Sequence, residues 1–485
     1  MDSLNRLRQA YSSDKYSTEG TKVLKILEKY LQDSHNSAVA QRKPLDWQTL
    51  PEEASKFIAD SPSTIDSLTS WFLENSRLLH SPHYMGHQVP PPIPTASLFS
   101  LMVGLANQGG AVFEMGPSLA GIERTLIKRL GNLVGWKDSF DGIVTNGGTL
   151  ANMTALLTAR NIRYQDSWKK GILNSARTPV ILTSEDSHYS ISRALGVLGL
   201  GTENAIKIPV DSERRVTRNA ILKTFESCEK QNQDVFCVVA SSCSTGTGAF
   251  DDLKAIGEFC SKNKIWFHVD GAHGASVLFS KKHRHWVDGI ENADSVTWDA
   301  HKMLFLPSLC TFLLYRKGEN SFETFKQDAP YLFAGKDLNS LELMNGGLRT
   351  VECTRQALAI PFWGVWSMYG QEIFEDLIDV TADNTQKFHA LLESAEDFEP
   401  LHSPQSNIQC FRYLPKSLQN ANSDKISIFQ QQVRKRLVDD GKFYITGTLL
   451  NGVSALRVTL MQPFIEDSHL NALLSEIRKV GKNLE

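Results

Sequence analysis

No apolar run in this sequence approaches the roughly 20 residues that a membrane-crossing helix needs, so no spanning segment is expected. No two of its seven cysteines have CxxC spacing, and the odd count argues against a disulfide framework or a zinc knuckle. Small buried thiols in a reducing compartment are the expectation. An excess of one charge is missing too. Lys and Arg total 51 against 54 Asp and Glu, for a net charge of −3, and the basic residues are scattered rather than clustered. That leaves no electrostatic footprint for nucleic acid. The opening stretch MDSLNRLRQAYSSDKYSTEG is polar and lacks the apolar core of a secretory signal, so a cytoplasmic protein is expected.

Several chemical signatures are absent as well. No GxGxxG follows a strand with an acid about 20 residues on, which disfavours a dinucleotide oxidoreductase. The nearest string to a GxSxG nucleophile elbow is GPSLA around Ser118, which lacks the final glycine. His83 with His87, and His283 with His285, stand without an HExxH or a cysteine ligand set, so no metal site is expected.

What is present is enough apolar residue, 41% of 485, to bury a large core. Residues 1–100 form an N-terminal helical arm, with Val23, Ile26, Leu27, Tyr30 and Leu31 at helical spacing, closed by the rigid VPPPIP segment at 89–94. Residues 101–365 alternate helical stretches with short strand candidates: PVILTS, AIKIPV, DVFCVVAS, KIWFHVD and DSVTWD. Runs apolar on both faces imply a mostly parallel sheet covered by helices on both sides. Residues 366–485 carry a helix, EIFEDLIDVTADNTQKFHALLES, and the strand-like pieces SNIQCFRYL and SALRVTL, giving a smaller α+β domain. The fold class is therefore α/β.

Reactive residues gather just after the strands of the large domain, where open α/β sheets bind ligands. Lys302 in WDAHKML follows DSVTW and is flanked by Met303, Leu304, Phe305 and Leu306, which argues against exposure. A partly deprotonated amine there can condense with an aldehyde, although a lone lysine at a strand end is more often a solvated residue. Asp270 ends the apolar run KIWFHV and needs a partner if buried; a protonated ring nitrogen or a simple turn cap would both satisfy it. Gly147, Gly148 and Thr149 open the helix-like NGGTLANMTALLTARN, the form of a phosphate cradle and also of many strand-to-helix turns. His188 in SEDSHYS follows PVILTS and is placed to cover a flat ring or to serve structure alone. Together they supply what an aldehyde cofactor with a phosphate tail requires.

These segments, in this order, resemble the group II pyridoxal 5'-phosphate (PLP) amino-acid decarboxylases, which include glutamate, cysteine sulfinate, aromatic amino acid and diaminobutyrate decarboxylases. The resemblance runs from SPHYMGHQVPPP at Ser81 to ALRVTL near Leu460. It includes FEMGPSLAGIERTLIKRLGNLVGW, GGTLANMTALLTARN, SEDSHYS, SSCSTGTGAFDDL, HVDGAHG and ADSVTWDAHKM. It implies the aspartate-aminotransferase-like fold type I and a homodimer with the active site at its interface. It implies that Lys302 is the Schiff-base lysine, with His301 near the phosphate, Asp270 at the pyridine nitrogen, His188 stacked on the ring and Ala272 on its other face. Thr245 would sit near the cofactor, Arg457 would take the substrate α-carboxylate, and His87 and Gln88 would line the substrate pocket.

Tyr331, in DAPYLFAGKDLNS, would protonate the carbanion from a mobile loop, where aldehyde-forming relatives have phenylalanine. The implied reaction is loss of the α-carboxylate of an L-amino acid as carbon dioxide, leaning to glutamate, aspartate or cysteine sulfinate. Aromatic amino acids and 2,4-diaminobutyrate stay open as substrates, as do an aldehyde-forming enzyme and a catalytically idle regulatory relative. One departure stands out. Many members have asparagine and proline before the His-Lys pair, and this chain has Asp299 and Ala300. A carboxylate near a phosphate must be protonated, turned away or offset by a cation.

Overall fold

The computed structural model describes residues 3–43, 46, 48–58, 63–172, 175–325 and 344–484. Tyr331 lies outside the described residues. Two compact units emerge: residues 88–389 with 402–409, and residues 1–87 with 390–401 and 410–485.

The larger unit is built on a seven-stranded sheet. Its strands are β1 (Asp141–Thr145), β2 (Thr178–Ser184), β3 (Ala205–Ile208), β4 (Gln233–Ser241), β5 (Trp266–Asp270), β6 (Ser295–Asp299) and β7 (Thr311–Tyr315), in spatial order β1-β7-β6-β5-β4-β2-β3. From β3 to β6 neighbours are parallel, while β7 runs antiparallel to both β6 and β1. Every residue of β1, β6 and β7 is buried, the mark of a sheet covered on both faces. The expected mostly parallel α/β architecture is what folds, and the five strand candidates of the large domain all appear. β1 and β7 were not among them.

The helix Gly148–Arg163 crosses this sheet. Ala151, Ala155 and Ala159, one turn apart, present a smooth strip against Ile143, Phe236, Val239, Leu313 and Tyr315, and Leu156 is fully buried in the same cluster. Small residues at i, i+4 and i+8 let a helix lie close on a sheet, and each fully buried leucine contributes roughly 2 kcal/mol. Gly147 enters the helix at φ +92, a backbone conformation that glycine adopts without a Cβ penalty.

The smaller unit carries a four-stranded sheet of β8 (Phe398–Pro400), β9 (Ile408–Tyr413), β10 (Thr446–Leu450) and β11 (Val453–Thr459), ordered β10-β11-β9-β8. β10 and β11 are joined through Asn451 and Gly452, both at positive φ, the two-residue turn whose twist matches a hairpin. Helices Ser423–Asp439 and Asp467–Lys482 pack with it. In the same unit Met85 N–H donates to the Tyr444 carbonyl and the Met85 carbonyl accepts from Thr459 N–H, which places the segment leading to His87 beside these strands.

Candidate active site

At the carboxyl ends of β4, β5 and β6 lies a cavity of about 300 Å³. Its walls include Gly147, Gly148, Thr149, His188, Thr245, Asp270, Ala272, His301 and Lys302, the whole cofactor-side set expected from the sequence. β5 is buried along its length until its last residue, Asp270, which is partly exposed to the cavity. The strand's apolar residues therefore fix where that carboxylate emerges.

Lys302 follows β6 in a turn. Its Nζ lies 3.2 Å from Asp299 Oδ2. Burial opposes the ammonium form, but the carboxylates of Asp299 and Asp270 outweigh it and hold Lys302 above the usual lysine range. His188 is pushed the other way. Burial lowers its pKa against the pull of Asp270, so it is neutral at physiological pH. His301 Nδ1 rests 3.0 Å from the Cys310 carbonyl, and its Nε2 is 3.7 Å from Asp299 Oδ2.

The residues fit a phosphorylated aldehyde. The first two amides of the helix Gly148–Arg163, those of Gly148 and Thr149, have no acceptor among the described residues, and Gly147 offers no side-chain cap. Such amides form an anion site. A side chain at Gly148 would crowd it, since a Cβ there would sit 3.2 Å from both Asp299 oxygens and 3.5 Å from Ala272 Cβ. Asp270, the acid expected at a ring nitrogen, accepts from Asn152 Nδ2 at 2.9 Å and from Ala272 N–H at 3.3 Å. Asp299 is almost fully buried, accepts from Thr311 Oγ1 at 2.6 Å, and is offset by Lys302. Of the ways to tolerate a carboxylate beside an anion cradle, the offsetting cation is the one present.

Asn152 and Ser190 line the cavity too and were missed from the sequence. The signal existed: Asn152 is a buried amide four residues after Gly148, on a helix face that is otherwise small and apolar. His87, Gln88 and Arg457, expected on the substrate side, are not among the residues that line this cavity. Gln88 belongs to the larger unit, and its buried Nε2 has no hydrogen-bond partner among the described residues. His87 and Arg457 belong to the smaller unit. There His87 Nε2 lies 3.1 Å from the Tyr444 hydroxyl, and buried Arg457 donates to Thr459 Oγ1 at 3.2 Å. Among the described residues no group of His, Cys, Asp and Glu is arranged to hold a metal, and no helix is long and apolar enough to cross a membrane.

A lysine, a carboxylate, an imidazole and an open helix start, converging at the strand ends of a mostly parallel sheet, define a fold type I PLP enzyme. Residues 40–414 match the pyridoxal-dependent decarboxylase conserved domain. Cysteine sulfinic acid decarboxylase of Mus musculus is 32% identical over 387 residues, 78% of this chain and 78% of that protein. The acidic amino acid decarboxylase GADL1 of Xenopus tropicalis is 31% identical over 385 residues, 78% and 75% of the two chains. The crystal structure of mouse CSAD in apo form superposes with a TM-score of 0.87 at 26% identity, covering 96% of this chain and 99% of that one. The chain belongs to the pyridoxal-dependent decarboxylase family, and is a PLP-dependent amino-acid decarboxylase.

Proposed function

We propose that this enzyme removes the α-carboxylate of an acidic L-amino acid, with glutamate, aspartate and cysteine sulfinate as the candidates. The observation that carries the decarboxylase chemistry is the convergence of Lys302, Asp270, His188 and the open amides of Gly148 and Thr149 on one cavity. Relatives named for cysteine sulfinic acid and acidic amino acids, at 31–32% identity, support the substrate class.

When bound, PLP supplies an aldehyde to hold an amine and a cationic ring to accept the electrons released with carbon dioxide. The protein's residues do the rest. Gly148 and Thr149 N–H, with His301, hold the phosphate; Thr245 and Ala272 bound the ring; and Lys302 provides the anchoring amine. Asp270, which accepts from the Asn152 amide, would hold a proton on the ring nitrogen. His188 covers the ring, and the neutral state that burial gives it keeps a second positive charge away. For Arg457 at the α-carboxylate, His87 and Gln88 at the substrate, and Tyr331 as proton donor, the family resemblance is the support.

A cytoplasmic homodimer completes the proposal. Free cysteines, all buried except Cys353, fit a reducing compartment. The helix Ala96–Ala106 (ASLFSLMVGLA) buries only Ala96 while Leu98, Leu101, Met102 and Leu105 stay exposed, a surface that suits a second copy of the chain.

The test is carbon dioxide release across the standard amino acids plus cysteine sulfinate and diaminobutyrate. Release from acidic substrates alone supports the proposal. Turnover confined to aromatic substrates or to diaminobutyrate refutes the acidic class, and ammonia in proportion to carbon dioxide refutes simple decarboxylation.

A further inference from the structure

Beneath the cavity a chain of buried polar groups runs from β5 to His188. Trp266 Nε1 lies 2.9 Å from Ser295 Oγ, and Ser295 Oγ lies 2.8 Å from His268 Nδ1. His268 Nε2 is 3.0 Å from Asn152 Oδ1. Asn152 Nδ2 reaches Asp270 Oδ2 at 2.9 Å and Ser190 Oγ at 3.1 Å. Ser190 Oγ is 2.8 Å from His188 Nδ1, and the Ser190 backbone N–H points at the same nitrogen at 3.3 Å.

The direction of every bond follows from its ends. Indole N–H only donates, so the Ser295 oxygen accepts from Trp266. Fully buried His268, its pKa pushed down to about 4 by desolvation, is neutral, and because the Asn152 oxygen facing its Nε2 can only accept, its one proton is on Nε2. The Asn152 amide nitrogen only donates, so it gives one N–H to Asp270 and the other to Ser190. The Ser190 backbone N–H can only donate, so His188 Nδ1 is an acceptor, and the Ser190 hydroxyl donates to it as well. That nitrogen faces two donors and carries no proton.

We propose that Asn152 and Ser190 are positioning residues that hold His188 as the neutral tautomer protonated on Nε2 and tie it mechanically to Asp270. The reading builds on the proposed place of His188 over the ring. It separates two jobs: His188 donates a hydrogen bond from Nε2 without being an imidazolium acid, and the proton delivered to product comes from another group. The charged groups acting on His188 are Asp270, Lys302, Asp299 and Arg193, with the Tyr189 ring 4.1 Å from it. Its titration therefore reports on them as well as on Ser190.

The test uses full-length protein labelled with 15N-histidine, with and without PLP, and His188→Gln to assign the signal. In the native protein Nε2 should fall in the protonated range and Nδ1 in the unprotonated range. Ser190→Ala should give a mixture of tautomers, move the His188 titration to higher pH and lower kcat about tenfold with KM within about twofold, the scale of one buried hydrogen bond. Ser190→Thr, which keeps the hydroxyl, should restore the native signal. A protonated Nδ1 in the native protein overturns the proposal without any variant, and so does Ser190→Ala with unchanged ring nitrogens. Because the tautomer is read without turnover, a wrong substrate assignment leaves this result intact.

Discussion

Lys302 Nζ and Asp299 Oδ2 stand 3.2 Å apart, and that carboxylate also packs over Gly148 at the start of the anion cradle. One acidic side chain thus acts on both ends of the cofactor site. It stabilises the ammonium form of Lys302, which must be neutral to react in the proposed role, and on the same proposal it would oppose the arrival of a phosphate. Unit charges about 5 Å apart interact by up to about 3 kcal/mol at the effective dielectric of a protein surface.

Asp299→Asn is therefore expected to tighten PLP binding. Both effects have the same sign: less phosphate repulsion, and a Lys302 pKa that falls toward its ordinary value so that more amine is neutral at pH 7. Fluorescence titration of cofactor-free protein should show a dissociation constant about tenfold lower, with the gain shrinking as salt screens the lost repulsion. Weaker binding by the variant would mean that Asp299 serves chiefly to shape the turn.

Gly148→Ala and Gly147→Ala separate crowding from strain. At Gly148 the new methyl meets the Asp299 oxygens at 3.2 Å with no unfavourable φ, so PLP affinity should fall about tenfold while thermal stability is kept. At Gly147 the neighbours lie 3.7 Å or further away, but φ is +92. There the cost of about 1 kcal/mol or more belongs to the backbone and should appear as a lower Tm. Calorimetry and cofactor titration of the two variants distinguish these outcomes.

How much of this was legible in the residues depends on the range of the interactions. β2 to β6 announce themselves as β-branched and aromatic runs because a strand buried on both faces must be apolar throughout. β1 does not: it opens on Asp141, whose buried carboxylate is satisfied by Arg124 and, from more than 200 residues away, by Arg349. β7 runs antiparallel because of the pairing of Thr145 with Thr311 and Asp299 with Thr311, which no local pattern records. Lys302, Asp270, His188 and Gly147 could be named from position after a strand and from motif. Asn152 and Ser190 could not be ranked that way, because their importance lies in what their hydrogen atoms point at. The charge at Asp299 was visible, and its neutralising partner three residues on was not, since that depends on the shape of the turn.

Acid should destabilise the fold in a defined window. Burial pushes His80, His268 and His402 down to about 4. Their unfolded-state pKa is near 6.5, so between pH 6.5 and 4 the unfolded chain binds protons that the folded chain does not. Stability then rises with pH across that window and falls on acidification. For fully buried His268 the contribution reaches about 3 kcal/mol by pH 4. Urea midpoints measured from pH 7 to pH 4 should decline steadily, and His402→Asn should flatten the slope. A midpoint independent of pH would contradict the burial of these imidazoles.

The exposed helix Ala96–Ala106 offers the most direct check on assembly. It packs with the helix Ile360–Tyr369, where Gly364 makes room for the Phe99 ring. On the outer side Leu98, Leu101, Met102 and Leu105 are 47–67% exposed, beside partly exposed Trp363 and Tyr369. If this face is covered by a second copy, Leu101→Glu places a charge in an apolar contact that it meets twice by symmetry. Desolvating that carboxylate costs several kcal/mol, enough to shift a micromolar solution toward monomer. Light scattering should show half the native mass, with secondary structure unchanged because Leu101 is already exposed within its own chain. A dimer of native strength would place the interface on another surface.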